Sequence, residues 1–244
     1  MTRCIFCKDS LGQFTTREHI LPESLGGGDW AVLPNGLCCD ACQNRFGSEI
    51  EQQALGDYPL SFFRVFLGIP TKKVKAPWFN SWEGKIRASL QPGAFGFDPV
   101  LSFEKATVDG SKTQIRLIAH PLKPDMVCRF LLKMGIEVFA ANVPNDVFRV
   151  KFDAARYYAL TGDKTVLWWY LQHERMDEAF HFMIRGVSEH EWSQNVSLEV
   201  IELEAEQEMF HLSLLYLDLF VPLTTGVQPQ MGGLEEPKFR LFRV

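Results

Sequence analysis

Nowhere does the sequence offer a run approaching the roughly 20 apolar residues needed to span a bilayer, and its opening, MTRCIFCKDS, lacks the apolar stretch of a secretory leader. These absences predict a cytoplasmic chain with no membrane partner. Cysteine is nearly missing beyond residue 42. Five of the six, Cys4, Cys7, Cys38, Cys39 and Cys42, come first, and Cys128 stands alone. A disulfide framework would spread through the fold, so the thiols are expected to be reduced and the paired cysteines to hold metal. Positive charge is also short: 25 Lys and Arg against 30 Asp and Glu give a formal net charge of −5, which disfavours a chain-wide nucleic-acid coat but leaves room for a local basic patch. The deficit is uneven. Acids and bases balance up to Lys75, whereas Ser188 to Glu208 is Glu-rich, so a polyanion would meet the N-terminal end first. Repeats and low-complexity tracts are absent, and 244 residues suffice for one sizeable core.

Three regions can be read along the chain. Residues 1–56 are polar, Gly-rich and cysteine-bearing until RFGSEIEQQAL opens a helix, as in a small metal-stapled module. Residues 57–78, with scattered prolines and a basic KKVK, read as a connector. Residues 79–244 read as an α+β domain with a helix packed on an antiparallel sheet. Within it, alternating runs around Asp109-Gly110 predict a hairpin. Val127, Phe130, Leu131, Met134, Val138 and Phe139 have helical spacing, with Pro124 before and Asn142 after. DAARYYALTGD reads as a short helix, and TVLWWYLQ, EAFHFMIRG, VSLEVIELE and EMFHLSLLYLDLF as strands.

The cysteines form two CxxC pairs, Cys4 with Cys7 and Cys39 with Cys42, separated by about thirty residues. Four thiolates at that spacing make a tetrahedral structural zinc site. Cys38 adjoins Cys39, but Cys39 makes the two-residue spacing. A plain zinc ribbon has the same cysteines, yet it does not require the insert TREHILPESLGGG, an Asn at position 35, or an amide-rich Gln43-Asn44-Arg45 directly after Cys42.

Those residues resemble the HNH endonuclease family in its zinc-containing ββα-metal form, with the pattern CxxC, EHIxPxxLGG, Asn, CxxC and FG. The resemblance covers about the first 55 residues. It implies that Cys4, Cys7, Cys39 and Cys42 bind zinc, that Glu18 ligates a catalytic divalent cation, and that His19 is the general base and Asn35 an orienting residue. The cation is usually magnesium, for which manganese can substitute, and the substrate is DNA. The family places Asn or His after the last zinc cysteine; here Gln43 stands there with Asn44 next, so one of the two is the second ligand, with Gln43 favoured for its place beside Cys42. The chemistry agrees: phosphodiester hydrolysis needs a base with a pKa near 7 and a hard cation at the developing charge. Because successive strand residues point to opposite faces, Glu18 and His19 must sit where the strand is irregular, or one must reach the site through its longer side chain.

The remaining candidates are weaker. Gly26, Gly27 and Gly28 would let the backbone approach DNA, or simply form a flexible turn. Arg17, Arg45, Lys72, Lys73 and Lys75 read as phosphate contacts or as solvated surface. His120, His173, His181, His190 and His211 have no ligand spacing and read as structural, Cys128 reads as core, and Trp168-Trp169 as core with one ring open to stacking. The leading expectation is a DNA endonuclease whose C-terminal domain selects the substrate, a protein partner or a second copy of the chain. The alternative is a zinc-stapled nucleic-acid-binding or regulatory protein with a decayed nuclease site, and a third reading has the C-terminal domain restrain the nuclease.

Overall fold

In the computed structural model, which describes residues 2–69, 78–80, 84–88, 95–99, 107–109, 112–114, 120–203, 206–229 and 239–244, the N-terminal segment has little regular structure before residue 40. Short 3-10 turns at Glu23–Leu25 and Asp29–Ala31 are followed by α1 (Asp40–Arg45), a π-helical stretch (Phe46–Glu51) and α2 (Gln52–Gly56). These three run on with helical backbone angles at each junction, forming one helix with a widened middle. Leu60–Phe66, in the stretch read as a connector, is a helix (α3) that buries Phe63 and Val65.

Short strands come next: β1 (Trp78–Asn80), β2 (Gly84–Ala88) and β3 (Phe95–Pro99) in one sheet, then β4 (Thr107–Asp109) and β5 (Lys112–Gln114) as the expected hairpin, with Asp109 opposite Lys112. The predicted long helix is α4 (Pro124–Asn142), followed by α5 (Asp153–Thr161), β6 (Trp169–Glu174), α6 (Met176–Arg185), α7 (Glu189–Asn195), β7 (Val196–Glu202), β8 (Glu208–Leu214), β9 (Leu217–Pro222) and β10 (Phe239–Arg243). The last five strands form an antiparallel sheet in the order β10-β6-β9-β8-β7, so the fold is α+β.

Two expectations are corrected. EAFHFMIRG lies in a helix, α6, because Asp177 and Glu178 in its first turn, Arg185 in its last and Gly186 at φ 78 start and stop a helix, while Ala179 and Phe182 bury one face. EMFHLSLLYLDLF is two strands rather than one. The chain reverses at Leu215 (φ 53) and Tyr216, a turn without Gly or Asn whose Leu215 N–H donates to the Asn195 carbonyl at 2.8 Å. Trp168 and Trp169 are both buried, Trp168 stacked on Tyr158 and Trp169 donating through Nε1 to the Val227 carbonyl.

Helix α4 is the centre of the molecule. A helix lying on one surface buries one stripe, whereas Val127 through Val138 are buried on every side. One side packs on the five-stranded sheet, where Gly135 allows the approach: a Cβ there would lie 2.7 Å from the Phe210 Cβ on β8. The other side packs on the helix at residues 46–56. One apolar core therefore runs from Ile5, Phe46 and Ile50 through Phe130, Leu131 and Met134 to Phe210 and Leu219, with a small second cluster of Tyr58, Val65 and Phe79. Asp57 fastens the helix start by accepting from the Leu122 and Lys123 amides at 3.0 and 2.6 Å. Among the described residues no helix is long and apolar enough to cross a membrane.

Candidate active site

The two CxxC pairs converge. The Sγ atoms of Cys4, Cys7, Cys39 and Cys42 all lie within 4.8 Å of one another, and Cys7 Sγ is 3.7 Å from Cys39 Sγ. Ligands at about 2.3 Å on a tetrahedron are about 3.8 Å apart, so the quartet is close to the arrangement zinc takes. All six cysteines are free thiols. Cys38 is buried beside the quartet but outside it, and its thiol points to the Cys39 carbonyl. Hydrogen bonds from the Cys38 and Cys42 thiols draw the Cys4 thiol far below its ordinary pKa, which favours the thiolate that a metal requires.

The quartet sits at the start of α1, where Cys39 is the N-cap and Cys42 lies in the first turn, so zinc held there would fix that end of the helix. The helix then holds the loop that carries the Glu-His pair. The Asp40 carboxylate accepts from the amides and hydroxyls of Thr15 and Thr16 at 2.6 to 3.1 Å, and the Thr15 hydroxyl leads in lowering its pKa to about 2. One turn on, Gln43 donates through Nε2 to the Arg17 carbonyl at 2.7 Å and accepts from the Thr16 hydroxyl.

The strand pairing expected of a ββα module is reduced to one bridge, His19 opposite Val32, flanked by Ile20 N–H to Ala31 O at 2.8 Å and Leu33 N–H to Glu18 O at 2.9 Å. The chain bends sharply enough there for Glu18 and His19 to line the same cavity of about 580 Å³, together with Glu23, Gln43, Asn44, Ser48 and Glu51. This answers the opposite-faces difficulty. His19 is partly exposed, its Nε2 lies 3.9 Å from Glu23 Oε1, and its buried Nδ1 makes no hydrogen bond. Glu18 is 7% exposed, and burial raises its carboxyl pKa against the opposing pull of Lys133.

Lys133, Glu51 and Glu137 were not singled out in the sequence. Lys133 Nζ lies 2.5 Å from Glu18 Oε1, 2.7 Å from Glu51 Oε1 and 3.2 Å from Glu137 Oε2. Burial acts to lower the Lys133 pKa, but the three carboxylates prevail and hold it well above its ordinary value. The signal available in the sequence was a Lys and a Glu four residues apart in a stretch, Val127 to Ala141, whose other residues are apolar except Arg129.

Other expected residues lie elsewhere. Asn35 is exposed and lines a second cavity with Phe14, Thr15 and Arg17, away from His19; backbone bonds to Ala31 and Leu33 order the Glu-His segment instead. Arg17 lines both cavities and pairs with Asp29 at 2.6 Å, and Arg45 pairs with Glu49 at 3.3 Å. Lys72, Lys73 and Lys75 lie outside the described residues. Gly26 and Gly27, expected to admit DNA, have a packing reason. A Cβ on Gly26 (φ 86) would lie 2.0 Å from the Trp192 ring of α7, and one on Gly27 1.8 Å from the Leu21 carbonyl oxygen. Gly26→Ala is therefore expected to destabilise the fold by roughly 1–3 kcal/mol, read as a lower thermal midpoint, with DNA affinity unchanged in the folded fraction.

Comparison with known proteins places this geometry. Residues 4–58 match the sequence model of a family described as HNH endonuclease. No curated protein and no solved structure matches the chain. The segment picked out by the thiol quartet and the Glu-His cavity is the segment the family model covers, so the N-terminal part of this chain is a domain of the HNH endonuclease family.

Proposed function

We propose that the protein is a metal-dependent endonuclease that hydrolyses DNA phosphodiester bonds. The observation that carries this reading is that Glu18 and His19, consecutive in sequence, open into one cavity beside an amide-bearing helix fixed by the zinc quartet. His19 is the general base: its imidazole lines the cavity and makes no hydrogen bond through Nδ1, and imidazole is the side chain most often used to take a proton from water. Glu18 and Asn44 both line the cavity and offer hard oxygen donors, which suits magnesium and admits manganese. Magnesium, when bound, supplies the Lewis acidity that stabilises charge on the phosphate and the leaving oxygen. Arg17, between the two cavities, is placed to meet the phosphate backbone.

Asn44 is preferred to Gln43 as the amide ligand because both ends of the Gln43 amide already hold the Thr16-Arg17 loop. Supercoiled plasmid should be nicked or linearised when magnesium or manganese is added and left intact without added divalent ion, with zinc content the same in both arms. Asn44→Ala should raise the magnesium requirement and cut the rate by about 10–100-fold, whereas Gln43→Ala should cost about 10-fold by loosening the loop. Gel-shift binding without cleavage under any divalent ion would favour a nucleic-acid-binding protein with a decayed site.

A further inference from the structure

We propose that Lys133 is a positioning residue of the nuclease site: its ammonium, delivered by α4 from outside the HNH segment, holds Glu18 in the orientation from which the carboxylate reaches a divalent cation. This rests on the endonuclease reading above. Lys133 is fully buried, yet it meets both members of the Glu-His pair, Glu18 Oε1 at 2.5 Å and the His19 carbonyl oxygen at 3.4 Å. Burying an ammonium is costly, and an apolar residue packs as well, so such a group is sustained only by good ionic partners. Here they come from the Glu-His loop, from Glu51 at the end of the π-helical stretch, and from Glu137 one turn along α4.

The side from which Lys133 approaches separates holding from blocking. Glu18 and Glu51 line the cavity and Lys133 does not, so the ammonium grips the carboxylates from the protein interior. Its contact is with Oε1 of Glu18, which leaves Oε2 uncommitted to it. Charge points the same way: two carboxylates, Glu18 and Glu51, line the cavity with one ammonium behind them, and Glu23 adds a third acid to the lining. A cation arriving from solvent is still attracted, and meets a carboxylate that cannot swing. Groups behind a metal ligand typically affect metal affinity or activity by about 10–100-fold when removed.

The test uses the full chain with Lys133→Met combined with Glu137→Met, which removes the buried helix pair together, and Glu137→Met alone as reference. Folding is checked by zinc content and a cooperative thermal melt. The readouts are the magnesium concentration for half-maximal plasmid cleavage and the manganese affinity by calorimetric titration. Relative to the reference, the double variant should need about 10–100-fold more magnesium and bind manganese weaker by a similar factor. Unchanged metal dependence in the folded double variant overturns the proposal in favour of a purely structural ion cluster. Tighter metal binding or faster cleavage overturns it in the opposite sense, showing an ammonium that competes with the cation. If the double variant does not fold with zinc, Lys133→Gln decides by the same readouts. A wild-type chain that cleaves nothing with any divalent ion defeats the endonuclease reading itself, and the manganese titration still reports separately on Lys133.

Discussion

Replacing Cys42 with serine, or withdrawing zinc with a strong chelator, is expected to unfold the HNH domain and abolish cleavage. Before residue 40 this domain has one β-bridge and two single-turn 3-10 helices, too little regular structure to hold itself. The thiol quartet joins the Cys4-Cys7 turn to the first turns of α1, and structural zinc sites contribute on the order of 10–16 kcal/mol of binding energy that exists only when the fold is formed. The damage should spread. Phe6 packs on Phe46 with ring centroids 4.5 Å apart, and both belong to the core that continues into α4. Metal analysis should find one zinc per chain, X-ray absorption four sulfurs at about 2.3 Å, and the serine variant a lower, broader melt. Cys38→Ser, outside the quartet, should retain the metal. A Cys42→Ser chain with full activity and an unchanged melt would show that the thiols are not a zinc site.

His19→Ala is expected to lower the cleavage rate by about 10²–10⁴-fold, the usual consequence of removing a general base, while zinc content and thermal midpoint stay near wild type. The separation follows from the position of the ring. His19 is partly exposed at the cavity and its Nδ1 holds nothing in place, whereas its backbone is ordered by bonds from neighbouring residues. Rates on supercoiled plasmid at saturating magnesium, with gel-shift affinity measured without added divalent ion, check both halves. An alanine variant as fast as wild type would end the assignment of His19.

What could be read from the residues alone was whatever local spacing determines. The CxxC pairs fix the quartet because two reduced pairs with that separation have few uses besides a metal, and the apolar period from Val127 to Phe139, with Pro124 ahead of it, gives α4 to within a residue at each end. Helix α6 was misread because a short apolar run fits either period, although its end charges and Gly186 were on view. The Leu215-Tyr216 reversal carries no turn residue, and burial against the end of α7 imposes it. Lys133 escaped notice for a deeper reason: its partners Glu18 and Glu51 lie 115 and 82 positions away, and only the tertiary packing of α4 brings them together. Gln43 was legible as a site residue, but its use as a staple depended on where Thr16 and Arg17 fold.

Helix α4, buried on all sides, has a bearing on how this HNH domain can be reused. A cassette cut from the chain at residue 58 would bare the face of the 46–56 helix that packs on α4, and Glu18 and Glu51 would lose their shared ammonium. Grafting the domain onto another scaffold therefore means transplanting α4 with it, or redesigning that face and rebuilding a cation behind Glu18. The HNH segment and the helix beneath it form one unit of inheritance for the protein engineer, although 65 residues of chain separate them.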